Sequence, residues 1–360
     1  MPQARPYADA DELLDERAYQ RRLADAVAQA LAGHESAPQA LADLLGISRA
    51  VAYKRLRSET HFTAREVAIL REAFDLVVSP YDGGAAGEAL LFRTRERRRG
   101  LAFDADAYLG LLAEGQARLA DLPAGHKPTI RAASSDLPIF YYFTEPALAA
   151  LKLYGFSVAA HRGRERLPAF GAFRDAHARH AERAAAYAEA YLAIPAVEVW
   201  SRSPIEHTLR QIVRFAELGL VEEEADLAEL FAALRRVLGR LGDALERGRH
   251  TGGGSLAVLC NELHYTNSII LVAAEGGEAG APPRGTLYVT FDNPHFLVSE
   301  QAEAVAFFAR HFARLVAMSE PVTRLGQISA RRYVGQQLTR IDAAERRARL
   351  VLEARGVDWE

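Results

Sequence analysis

A chain of 360 residues with 49% hydrophobic and 25% charged side chains has the mix of an ordinary globular protein, long enough for two or three domains with sizeable cores. A formal net charge of -3 excludes a generic polyanion binder, so any nucleic-acid contact has to be a local patch. The single cysteine, Cys260, excludes an intrachain disulfide and a cysteine-based zinc site.

No stretch reaches the length of a membrane span, and MPQARPYADADELLDERAYQ has no apolar run of the signal-peptide kind. The expectation is a cytoplasmic protein with no membrane partner. A helix is expected over about 15–31, with Leu23, Val27 and Leu31 along one side. Ser36-Ala-Pro-Gln39 reads as a capping box with proline in the first turn and opens the next helix. Leu41 to Arg57 then reads as helix, tight turn, helix. Leu41, Leu44 and Leu45 form an apolar face, and Ala42 is small enough for a second helix to cross closely. Gly46 supplies the positive φ of the turn, Ile47 points inward, and Ser48 caps the second helix. On that helix Ala52 and Leu56 face inward. Arg49, Tyr53 and Arg57 follow one another on the outer face, flanked by Ala50 and Lys54. A short helix with an apolar back and a basic, aromatic front can enter a major groove. Thr63-Ala-Arg-Glu66 is a second capping box, opening a helix with Val67, Leu70 and Phe74 on one face.

These residues, above all Leu-Ala-x-x-Leu-Gly-Ile-Ser followed by Tyr-Lys, resemble the helix-turn-helix of phage-repressor-like bacterial transcription regulators. The resemblance covers roughly residues 20–78. It implies a DNA-binding module over 15–78, with Ser48, Arg49, Ala50, Tyr53, Lys54 and Arg57 as the DNA-binding residues. Arg55 departs from the pattern, standing where such motifs carry an apolar residue; either it snorkels or Leu56 takes over its packing. The competing reading is a helical hairpin with a solvated basic face, or a module that binds protein.

Residues 79–102 read as a linker: SPYDGGAAGE is turn-forming, and RTRERRRG is either a second phosphate contact or, more simply, a solvated edge. From 103 to 360 the expectation is a larger domain of mixed helix and strand, so the fold class is α+β: an all-α N-terminal domain followed by a mixed one. Helices are expected over about 105–119, from Pro146 through Tyr154, within 165–192, from Ser203-Pro-Ile-Glu206 onward, over about 226–245, from Ser299 and over about 327–355. Strands are expected at PTIRAAS, IPAVEVW, SLAVLC, SIILVAA and TLYVTF. SLAVLC and SIILVAA are expected to form a hairpin across TNS. The helices outnumber the strands, which favours α+β over a doubly wound sheet. Leu137-Pro-Ile-Phe140, Ile194-Pro-x-x-Glu-x-Trp200 and Leu209-Arg-Gln-Ile212 resemble, loosely, bacterial proteins that join a helix-turn-helix to a long C-terminal region; that implies a regulator and no particular chemistry.

No catalytic constellation stands out, so no enzyme is expected, and no cofactor and no metal. His177 and His180 sit at i, i+3 with no third ligand nearby. Cys260, Glu262 and His264 share a strand face, where a core cysteine is the simpler account. Thr251-Gly-Gly-Gly-Ser255 lacks the lysine of a phosphate loop and precedes a strand instead of following one. His264, Tyr265 and Asn267, with Asp292, Asn293 and His295, could line a ligand pocket if their loops meet, although turn chemistry is the simpler account. The function expected is therefore sequence-specific duplex-DNA binding by a homodimer, with a C-terminal domain that dimerises and could sense a small-molecule effector. The alternative is an adaptor or enzyme whose helical module binds protein.

Overall fold

A computed structural model describes residues 16–74, 76, 90, 92–94, 103–120, 122, 126–161, 167–261, 268–275, 284–292, 294–323 and 328–355. The chain divides into two compact units, Met1–Leu91 and Phe92–Glu360.

The first unit holds α1 (Glu16–Ala30), α2 (Ala37–Leu45), α3 (Arg49–Leu56) and α4 (Ala64–Phe74). Its core is built from Leu23, Ala24, Val27, Leu31, Leu41, Ala42, Ala52, Phe62 and Leu70. The residues at helical spacing thus bury as their periodicity requires. α2 ends at Gly46, whose φ of 66° lies in the left-handed region that glycine enters without a Cβ penalty. The Thr63–Glu66 box closes in both directions: Thr63 N–H donates to Glu66 Oε2 at 2.6 Å, and Glu66 N–H to Thr63 Oγ1 at 3.2 Å. The box expected at Ser36 does not close. Ser36 occupies the cap position without a side-chain bond, and Gln39 instead donates to Asp43 at 2.8 Å, one turn further on.

Among the described residues the second unit is a nine-stranded mixed sheet with helices. Its strands are β1 (Arg93–Thr94), β2 (Lys127–Ser134), β3 (Ala196–Trp200), β4 (Leu256–Cys260), β5 (Ile269–Glu275), β6 (Arg284–Asp292), β7 (His295–Ser299), β8 (Glu320–Thr323) and β9 (Ile328–Ser329). Its helices are α5 (Ala105–Ala120), α6 (Ile139–Phe143), α7 (Pro146–Ala160), α8 (Phe170–Ala176), α9 (Ala178–Leu192), α10 (Glu206–Glu217), α11 (Glu224–Arg247), α12 (Ala302–Ala317) and α13 (Ala330–Arg355). The sheet order is β1-β7-β6-β5-β2-β3-β4-β8-β9. β2, β3 and β4 run parallel at its centre, and β5, β6, β7 and β1 extend one side as an antiparallel wing.

In register, Ile130, Ala196 and Leu256 line up across the parallel strands, followed by Ala132, Glu198 and Val258. This face carries the main core, with α7, α10 and α11 contributing Leu148, Leu151, Ile212, Leu230 and Leu234. The alternate positions Leu271 and Leu287 pair on the other face, where α12 packs on β5 and β6.

The class is mixed helix and strand, as the sequence indicates, but the strands are more numerous than the helix-rich pattern suggests. The hairpin expected between SLAVLC and SIILVAA does not form: β2 and β3 lie between β4 and β5. β4 reads as an alternating strand because it is buried beside β3, and local alternation does not name the partner. Two helix starts also differ. α10 begins at Glu206 after a turn in which Glu206 N–H donates to Ser203 O at 3.1 Å, so Ser203 closes a turn and not a helix. α12 begins at Ala302, because Ser299 still pairs in β7. The face expected on α10 is buried throughout: Ile205, Leu209, Ile212, Val213 and Ala216.

Candidate functional site

All six residues expected to contact DNA lie on α3 or at its two ends, and all six are exposed: Ser48, Arg49, Ala50, Tyr53, Lys54 and Arg57. Ala52, on the opposite side, is fully buried. Ser48 holds the helix start, its Oγ accepting from Val51 N–H at 3.3 Å. That bond satisfies one of the free donors of the first turn and fixes the direction in which Arg49 and Ala50 leave it. Among the described residues neither Arg49 nor Lys54 has an ion-pair partner. Arg57 is engaged. It donates to Tyr53 Oη at 2.9 Å, its guanidinium lies 5.5 Å from the centre of the Tyr53 ring, and Glu59 stands 3.1 Å away. Hydrogen bonding to Tyr53 raises the Arg57 pKa further, so its charge is permanent.

Arg55 explains its own departure from the resemblance. It is mostly buried and pairs with Glu66 at 3.2 Å, the same carboxylate that closes the α4 cap. The ion pair fastens α3 to α4 where an apolar contact would otherwise do so, while Leu56 is partly buried against the core.

The second unit holds two buried polar clusters that sequence patterns did not reveal. The first lies at the carboxyl ends of the parallel strands, the edge where open α/β sheets usually place ligands. Asp136 follows β2. Tyr142 on α6 donates to Asp136 Oδ1 at 2.5 Å, and Lys152 on α7 stands 3.3 Å from Oδ2. Lys152 Nζ also donates to Thr208 Oγ1 at 2.6 Å and lies 4.0 Å from the centre of the Tyr142 ring; Thr208 donates to Asp136 Oδ2 at 3.1 Å. Burial first, and Asp136 second, push the Tyr142 phenol well above its usual range, so it remains a donor. The cluster ties β2, α6, α7 and α10 together with every charge matched. The neighbouring carbonyls are taken by α13: Tyr333 Oη donates to Ser201 O at 2.8 Å and Gln337 Nε2 to Arg202 O at 3.0 Å.

The second cluster surrounds Glu198, fully buried on the central strand β3. Tyr191 donates to its Oε1 at 2.7 Å, Trp200 Nε1 to its Oε2 at 2.8 Å, and Tyr141 to both oxygens at 3.2 Å. Burial pushes the carboxyl up to about 7, although the bonds from Tyr191, Trp200 and Tyr141 pull the other way. Beside it lies His250, 4% exposed, with its ring centre 5.9 Å from that of Tyr141 and Nε2 without a hydrogen-bond partner among the described residues. Burial lowers the His250 pKa to about 4, so the ring is neutral near pH 7. A small pocket is lined by Tyr141, Thr144, Leu192, Arg240, His250 and Thr251, among others. Arg240 at this pocket pairs with Glu145 at 2.5 Å and donates to Thr144 Oγ1 at 2.8 Å. The glycine run after Thr251 packs backbone against backbone: a Cβ on Gly254 would collide with the carbonyl of Ile194, and Gly253 has φ of 94°. Close backbone approach, and not phosphate binding, accounts for those glycines.

Of the remaining candidates, His177 stacks on Phe173, ring centres 3.9 Å apart, and His180 Nε2 stands 3.4 Å from Asp106. Cys260 is buried in the core. Glu262, His264, Tyr265, Asn267 and Asn293 lie outside the described residues, as do Arg95, Arg97, Arg98 and Arg99. Asp292 and His295 pair across β6 and β7 at a shift in register, so they belong to a strand connection. Among the described residues no helix is long and apolar enough to cross a membrane. No protein-family profile, curated protein or solved structure matches the chain significantly.

Proposed function

We propose that the protein is a duplex-DNA-binding transcription regulator. The first unit is a helix-turn-helix module of the phage-repressor kind, and α3 is its recognition helix. The observation that carries this reading is the surface of α3. Arg49 and Lys54 stand on it without ion-pair partners among the described residues, beside an exposed Tyr53, while Ala52 anchors the back. Isolated cations with no internal partner fit a polyanion, and the net charge of -3 confines that affinity to a patch. Arg49 at the helix start suits base edges; Lys54 and Arg57, further along, suit phosphates.

One short recognition helix offers few contacts, so the protein acts as a homodimer on a two-fold site, held by the second unit. The test is binding to duplex DNA across a salt series. A steep loss of affinity with salt is expected. In Arg49→Ala the specific site should lose about 1–3 kcal/mol and one base position should relax its preference. An unchanged site preference would remove Arg49 from base reading, and no duplex binding at low salt would favour a protein-binding module instead.

A further inference from the structure

Val51 is 37% exposed on α3 and Tyr53 is 48% exposed; they are the exposed large apolar side chains among the described residues of the first unit. Tyr53 has a partner in Arg57. Val51 is not among the apolar side chains packed on the core of this unit, and a β-branched residue at an exposed helical position lowers helix propensity relative to alanine. Its backbone N–H is bound by the Ser48 cap, which places it in the first turn, the part of a recognition helix that meets base edges. Arg49 lies two residues before it and Lys54 three after, and the small Ala50 beside it lets the backbone approach closely.

We infer that Val51 reads the C5 methyl group of a thymine in the major groove. This rests on the DNA-binding reading above and goes further by naming what the apolar position recognises. The other groups along the major-groove edge are hydrogen-bond donors and acceptors, which a valine cannot use; the thymine methyl is the apolar one. The cationic neighbours supply the attraction that brings this apolar group to the groove. Because 5-methylcytosine presents the same methyl, the position would also discriminate methylated from plain cytosine.

The experiment begins by selecting bound duplexes from a random pool with the wild-type protein. Each thymine of the selected site is then replaced singly by deoxyuridine, which removes the methyl and keeps the pairing. At one thymine in each half-site the replacement should weaken wild-type binding by about fourfold, the cost of leaving one methyl-sized apolar group uncovered. Val51→Ala should bind the thymine site about fourfold more weakly and be indifferent to that replacement. Val51→Thr, which keeps one methyl, should fall between. At the same position 5-methylcytosine should bind better than cytosine to wild type and equally to Val51→Ala. If no deoxyuridine affects wild type, or every one affects wild type and Val51→Ala alike, the methyl assignment is overturned while a selected site leaves the DNA reading standing. Failure to select any site overturns both.

Discussion

On α3, Arg49 and Lys54 stand in solvent with no ion-pair partner among the described residues, whereas Lys152 in the second unit is 7% exposed and holds Thr208, Asp136 and the face of Tyr142 at once. The two regions spend charge differently. A buried cation has to be matched inside the fold, because its desolvation is otherwise uncompensated. An exposed one loses little by standing alone, and it stays available to a ligand. Unmatched surface cations on one helix face are thus the better guide to binding, and matched buried ones the better guide to architecture.

The largest expected effect tests the matched side. Lys152→Ala leaves Asp136 and Thr208 without their cation and should destabilise the second unit by about 3–5 kcal/mol, toward the lower end because Asp136 reaches solvent. Denaturant unfolding measures it; a loss under about 1 kcal/mol would mean the cluster is not coupled to folding. Leu209→Ala provides the apolar reference, one residue from Thr208. With Leu209 buried against the main core, truncation should cost about 2–5 kcal/mol. An unchanged melting temperature would place α10 with a different face inward.

A third effect concerns Glu198 and His250, whose pH responses oppose each other. The Glu198 pKa is raised to about 7 from 4.5, so the folded state binds more protons and stability falls as pH rises through that window. The His250 pKa is lowered to about 4 from 6.5, so there the unfolded state binds more protons and stability rises with pH. Each amounts to roughly 3 kcal/mol, and between the two lower and two upper limits they largely cancel. The wild type should accordingly show little slope from this pair in mildly acidic solution. Glu198→Gln should expose the rising limb, and His250→Asn the falling one. Parallel pH–stability curves for wild type and both variants would show that neither group is buried as described.

Much of the first unit was legible in the sequence because its information is local. Leu41, Gly46, Ser48 and Ala52 sit at fixed spacings, and a capping box needs four consecutive residues. The second unit depends on contacts distant in the chain. Lys152 and Thr208 are 56 residues apart, and Tyr141 and Glu198 are 57 apart. A buried glutamate in Ala196–Trp200 reads only as a polar interruption of a strand until Tyr141 and Tyr191 arrive around it. The β4–β5 hairpin failed for the same reason: alternation identifies a strand, and the sheet order is settled by packing far along the chain. Arg55 shows the limit even within a local motif, since its partner Glu66 lies on the next helix.

The central claim is that α3 meets a polyanion through cations the fold leaves unmatched. A salt titration of duplex binding by wild type and Lys54→Ala, on the selected site and on unrelated DNA, tests it most directly. Removing one phosphate contact should reduce the slope of log affinity against log salt by about 0.9 per protomer, and so by about 1.8 in a two-fold dimer. Because phosphates carry no sequence information, the reduction should be the same on both DNAs. Identical slopes for Lys54→Ala and wild type on both DNAs would contradict the account.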